Sequence, residues 1–114
     1  MAGLTTHVLD TVNGRPAAGV RIELFEHGGE RIVEARTNAD GRTDAPLIPA
    51  EKARVGRFEL LFHIGDYFRD TGLAVAEPAF LDIVPIRFAI ADPTRHYHVP
   101  LVATPWSYST YRGS

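Results

Sequence analysis

No cysteine occurs in this sequence, which removes a disulfide frame and a thiolate nucleophile together. Stability must then come from packing and from association between copies, and a cysteine-free chain suits the cytosol. Lysine is almost as scarce: Lys52 is the only one among twelve basic residues. Arginine is the default cation, so an arginine by itself says little about bidentate recognition. The opening MAGLTTHVLD has neither a basic leader nor a long apolar stretch, and no apolar run approaches the ~18 residues of a membrane span. The expectation is a soluble, unprocessed, cytoplasmic protein. A formal charge of -2 without runs of like sign leaves no basic stripe for a phosphate backbone, so nucleic acid is an unsuitable partner. Also missing are a G-x-S-x-G elbow, a phosphate loop and a dinucleotide fingerprint.

What is present fits one domain over residues 1–114. The chain is 45% hydrophobic and 23% charged, with ten glycines and eight prolines. Short patterned segments between turn residues predict an all-β sandwich. Leu4 to Asp10 reads as a first strand, Gly19 to His27 as a half-buried one with Val20, Ile22 and Leu24 inward, and Arg31 to Thr37 as a third. Asp40-Gly41 makes a tight turn that leaves Arg42 at a strand end. Phe58, Leu60, Phe62 and Ile64 share one face of a strand from Val55 to Ile64, after which Asp66 caps the only helix, closed by Gly72. Leu81 to Ile90 follows, with Pro85 marking an edge or a bulge.

The end of the chain, HYHVPLVATPWSYSTYRGS, carries the chemistry. Alternation puts Tyr97, Val99, Leu101 and Ala103 on an apolar face and turns His96 and His98 the other way. Pro105 suits a turn, so the tail folds back as a hairpin and brings Tyr111 to Ser114 level with the two histidines. His27, beside Gly28-Gly29, reads as a solvated turn residue, and His63 as a hydrogen-bonded sheet histidine. For the H-x-H pair three readings stand side by side: exposed strand histidines, acid-base or ligand-binding groups, or, with His7, a three-histidine zinc site.

The stretches THVLDTVNGRPAAGVRIEL, TNADGR and the YRGS end after HVPL resemble the 5-hydroxyisourate hydrolases, the transthyretin-related enzymes of urate degradation. The likeness runs over nearly the whole chain. It implies a prealbumin-like β-sandwich of about seven to eight strands with one short helix, assembled as a homotetramer, a dimer of dimers, whose sites lie in the channel between dimers. It implies catalytic roles for His7, Arg42, His98 and Ser114, substrate contacts from His7, Arg42, Tyr111 and Arg112, and neither metal nor cofactor. The expected reaction is hydrolysis of 5-hydroxyisourate to 2-oxo-4-hydroxy-4-carboxy-5-ureidoimidazoline by histidine-activated water. Two other classes compete: a transthyretin-like module that binds a small molecule without chemistry, and a zinc hydrolase using His7, His96 and His98, which would be sensitive to chelators.

Overall fold

A computed structural model describes residues 2–113. Among the described residues there are ten strand segments and one α-helix: β1 (Gly3–Thr5), β2 (Val8–Asp10), β3 (Arg15–Pro16), β4 (Arg21–Glu26), β5 (Arg31–Arg36), β6 (Gly56–His63), α1 (Ile64–Asp70), β7 (Ile83–Ile90), β8 (His96–His98), β9 (Leu101–Ala103) and β10 (Tyr108–Thr110). A 3-10 turn, Ala50–Lys52, is additional to the expected single helix. One sheet has the order β5-β4-β6-β7; opposite it lie β10-β9-β2-β3 and the pair β1-β8.

The expected first strand, Leu4 to Asp10, is divided into β1 and β2, and the H-x-H strand into β8 and β9. Each division is local, because the parallel register is the same on both sides: Thr5 faces His98 in one ladder and Val8 faces Leu101 in the next. In that register Pro100 stands opposite His7, and its missing N–H faces the tail and not this ladder. Counting each interrupted pair as one strand leaves eight, the prealbumin-like number. Val99 and Leu101 still donate to the carbonyls of Thr5 and His7, at 3.0 and 2.9 Å.

Inward side chains of the two layers meet in one core. Leu4, Val8 and Leu101 from one layer and Ile22, Leu24, Phe58, Leu60 and Phe62 from the other are all fully buried. Burying a side chain of this size contributes about 1.5–3 kcal/mol each before the entropy of ordering is subtracted. The alternation along β7 is as expected, with Val84, Ile86 and Ile90 buried, and Pro85 lies on an edge strand that pairs only with β6. Ile64, expected to close the preceding strand, is instead the first residue of α1, and Asp66 lies in the first turn rather than at the cap. The physical reason is the next residue: Gly65 donates to the Asp82 carbonyl at 2.9 Å, and a β-carbon there would meet Asp82 Cα at 3.0 Å. That close approach draws the chain out of the sheet one residue early. Gly72 closes the helix at φ +84°, a conformation suited to glycine. No helix among the described residues is long and apolar enough to cross a membrane.

Candidate active site

Alternation along β1 and β2 buries Leu4, Thr6 and Val8 and leaves Thr5 and His7 half-buried on the outer face. Across the ladder His96 and His98 occupy the same outer face, while Tyr97 and Val99 are buried. The expectation that the core does not hold these histidines agrees with this arrangement. Thr6 fixes the local geometry from inside: its hydroxyl donates to the Val99 carbonyl at 2.7 Å.

Arg42 arrives from a different part of the chain. Asn38 and Gly41 build a tight turn, with Gly41 at φ +75° and its Cα facing the Val8 carbonyl so closely that a β-carbon would come within 2.5 Å. Only glycine fits there, on both grounds. The next residue, Arg42, then forms a bridge with His7 rather than ending a regular strand. Its backbone is tied to Asn38, whose N–H donates to the Arg42 carbonyl at 2.7 Å.

The hairpin forms as the sequence predicts. β10 pairs antiparallel with β9, and beyond it Gly113 bridges His98, its N–H donating to the His98 carbonyl at 2.7 Å. In this register Tyr111 lies opposite Pro100 and is 59% exposed, available to a ligand on the outer face. Arg112 takes the opposite side. Its guanidinium lies 4.1 Å from the centre of the Tyr97 ring and donates to the His96 carbonyl at 3.3 Å, so the arginine clasps the tail instead of joining the histidines. Ser114 lies outside the described residues.

Both candidate histidines are held below the ordinary imidazole pKa. For His98 burial is the largest cause, followed by the positive Arg42 and the neighbouring His7 and His96. For His7 burial again leads and Arg42 follows, with Asp40 opposing them. Both rings are therefore neutral near pH 7 and able to accept a proton. The Nε2 atom of His7 is buried without a hydrogen-bond partner among the described residues.

Two residues escaped the reading of the sequence. Thr5 Oγ1 stands 2.8 Å from His96 Nε2 and 2.8 Å from His98 Nδ1; the signal was its place on the outer face two residues before His7, but its partner across the ladder is set by a register that the sequence does not state. Gly113 is the other, pressed against the His98 ring. His27 is exposed in a turn, as expected. His63 is a buried sheet histidine whose Nε2 lies 2.8 Å from Glu23 Oε1, and it takes no part in this face.

Comparison with known proteins identifies relatives along the whole chain. The chain is 58% identical over 115 residues to a 5-hydroxyisourate hydrolase of Deinococcus radiodurans, covering 98% of this chain and 96% of the relative. Among solved structures, 5-hydroxyisourate hydrolase of Klebsiella pneumoniae superposes with a TM-score of 0.84 at 35% identity, with full coverage of both chains. An (S)-allantoin synthase superposes with a TM-score of 0.92 at 44% identity over 98% of this chain, which spans 43% of that longer one. The profile of the HIUase/Transthyretin family matches residues 4–113. With that match across almost its whole length, the chain belongs to the HIUase/Transthyretin family.

Proposed function

We propose that this protein hydrolyses 5-hydroxyisourate, and that His98 activates the water. The observation that carries the reading is the convergence of three distant segments on one face: His7 bridges Arg42, and His98 bridges Gly113 of the tail. The relatives named 5-hydroxyisourate hydrolase, over nearly the full chain, supply the substrate.

The residue types suit the reaction. Water adds to a ring carbonyl, a carbon–oxygen bond forms, the carbon–nitrogen bond of the ring breaks, and a proton passes from the water to the leaving nitrogen. A neutral His98 accepts that proton and returns it, in the manner of a general base that becomes a general acid. Arg42 presents a planar fork of donors to the substrate oxygens and stabilises charge developing on the attacked carbonyl. His7, bridged to Arg42, assists or orients His98 and contributes to substrate binding. Tyr111 and Ser114 complete the contacts, and Arg112 serves by holding the tail against Tyr97. Neither a covalent intermediate nor a metal is needed for this chemistry.

The reading includes a homotetramer, a dimer of dimers, with sites between subunits, and a cytoplasmic location. Two features support association. The open edges β7 and β10 flank a common groove, lined by Ile86 and Phe88 on one side and Thr110 and Tyr111 on the other. An unpaired edge with apolar residues beside it is a ready surface for a second copy.

The deciding experiment follows the absorbance of 5-hydroxyisourate generated from urate by urate oxidase, with and without the protein. Accelerated loss that survives exhaustive chelation supports the reading. Decay at the spontaneous rate would leave a binding module, and activity lost on chelation and restored by zinc would favour the three-histidine metal site.

A further inference from the structure

We propose that Thr5 is a positioning residue: its hydroxyl holds His98 in the tautomer with the proton on Nδ1, so that Nε2 is the nitrogen that meets the water. This rests on His98 being the base.

Thr5 Oγ1 is 2.8 Å from His96 Nε2 and 2.8 Å from His98 Nδ1. A hydroxyl has one proton and two lone pairs, so it donates to at most one of these nitrogens. At most one of the two rings can therefore face Thr5 with a bare nitrogen, and the other faces it with an N–H. The two tautomers are coupled through a single atom.

The direction is fixed at the far end of the chain of contacts. His96 Nδ1 faces the Ala2 carbonyl at 3.5 Å. A carbonyl only accepts, so the proton of a neutral His96 belongs on Nδ1, and its Nε2 is left to accept from Thr5. Having donated its proton to His96, Thr5 Oγ1 can only accept from His98, which places a proton on His98 Nδ1. What remains on His98 is a bare Nε2.

The arrangement also holds through the reaction. When Nε2 takes the proton of water, the ring becomes a cation and its Nδ1–H···Oγ1 bond becomes charge-assisted and stronger. Thr5 needs no rearrangement at that moment, since it is already the acceptor. Among the described residues the charged and titratable groups around the ring are Arg42, His7 and His96; none of these is an anion, so the Thr5 hydroxyl oxygen is the negative end of a dipole that faces the new charge. The hydroxyl acts as the carboxylate does in a serine-histidine-aspartate triad, without the charge.

Two readouts test this. In the 15N-labelled full-length protein at about pH 8, where imidazoles are neutral, ring-nitrogen NMR should find the His98 proton on Nδ1. In Thr5→Val, which keeps shape and removes the hydroxyl, the proton should move to Nε2 in most molecules, and in Thr5→Ser it should stay. Turnover should follow the tautomer: kcat roughly ten- to hundredfold lower in Thr5→Val with KM within about twofold, and mostly recovered in Thr5→Ser. A wild-type His98 protonated on Nε2 would overturn the proposal with no variant needed. So would a Thr5→Val protein with unchanged kcat and unchanged tautomer. If the tautomer is as stated but His98→Asn is fully active, the assignment of the base fails and the control by Thr5 stands.

Discussion

Gly113 lies flat against the ring of His98: a β-carbon added at position 113 would stand 2.9 Å from the imidazole Cδ2 and 3.2 Å from Cβ. The tail and the base therefore occupy one another's contact surface. Gly113→Ala should displace the ring from the position that Thr5 holds. A misplacement of this kind costs about 10²-fold in rate, whereas the tail contributes little to the core. We expect kcat to fall by roughly that amount with a melting temperature close to wild type. Wild-type kinetics in the alanine variant would show that the ring is not confined from this side.

Removing the base should be more severe. His98→Asn is expected to lower kcat by about 10²–10⁴, the contribution of a positioned general base. His27→Asn, in an exposed turn, should leave kcat unchanged. Steady-state assays on both variants compare the two, and an unimpaired His98→Asn would remove the assignment.

The pH profile follows from the direction of the His98 shift. Burial and then Arg42 hold its pKa below the ordinary ~6.5, so the basic form persists into mildly acidic solution. The acid limb of kcat/KM should fall at a pH below ~6.5. Arg42→Gln removes the second cause and leaves burial, so the limb should move upward without reaching the ordinary value. A limb that moves down, or stays, would contradict the electrostatic role of Arg42. The same shift acts on stability with a definite sign. The folded state binds this proton less readily than the unfolded one, so the stability present above ~6.5 is lost as the pH falls through the lower folded value.

Deleting residues 111–114 should abolish most activity and spare the fold. Val84, Ile86, Val99 and Leu101 keep the core, and the removed residues follow β10, which is itself exposed. Circular dichroism should be near that of the full chain, with a modest fall in melting temperature. Activity retained after the deletion would show that the tail is dispensable.

Light scattering should report a tetramer in solution, and the tetramer should be the active species. An active monomer would rule out a site shared between subunits.

Much of this was legible before any coordinates. The outward turn of His96 and His98 followed from alternation alone, because Tyr97 and Val99 have no place but the core. The turn before Arg42 followed from Asp40-Gly41, and the returning hairpin from Pro105. The roles of His7 and Arg42 came from resemblance, since nothing in local pattern ties residue 7 to residue 42. Thr5 was invisible for a related reason: a parallel pairing between chain positions more than ninety residues apart is set by packing of the whole sandwich. Arg112 shows the limit of motif reading, because one residue's alternation separates it from Tyr111 and Gly113 and sends its guanidinium to Tyr97 instead.

Pro100 gives the tail an uneven seam. β10 pairs with β9 as far as Thr110 opposite Leu101, and the same register resumes where Gly113 meets His98. Between them, opposite Tyr111, Pro100 has no N–H to offer, and its carbonyl is taken by the Thr110 hydroxyl at 2.7 Å. The edge is therefore fastened at two points with the ladder broken between, like a strap stitched at both ends. The break falls at Tyr111, the aromatic side chain that the proposed function turns to a planar substrate, while the far stitch holds Gly113 against the ring of His98.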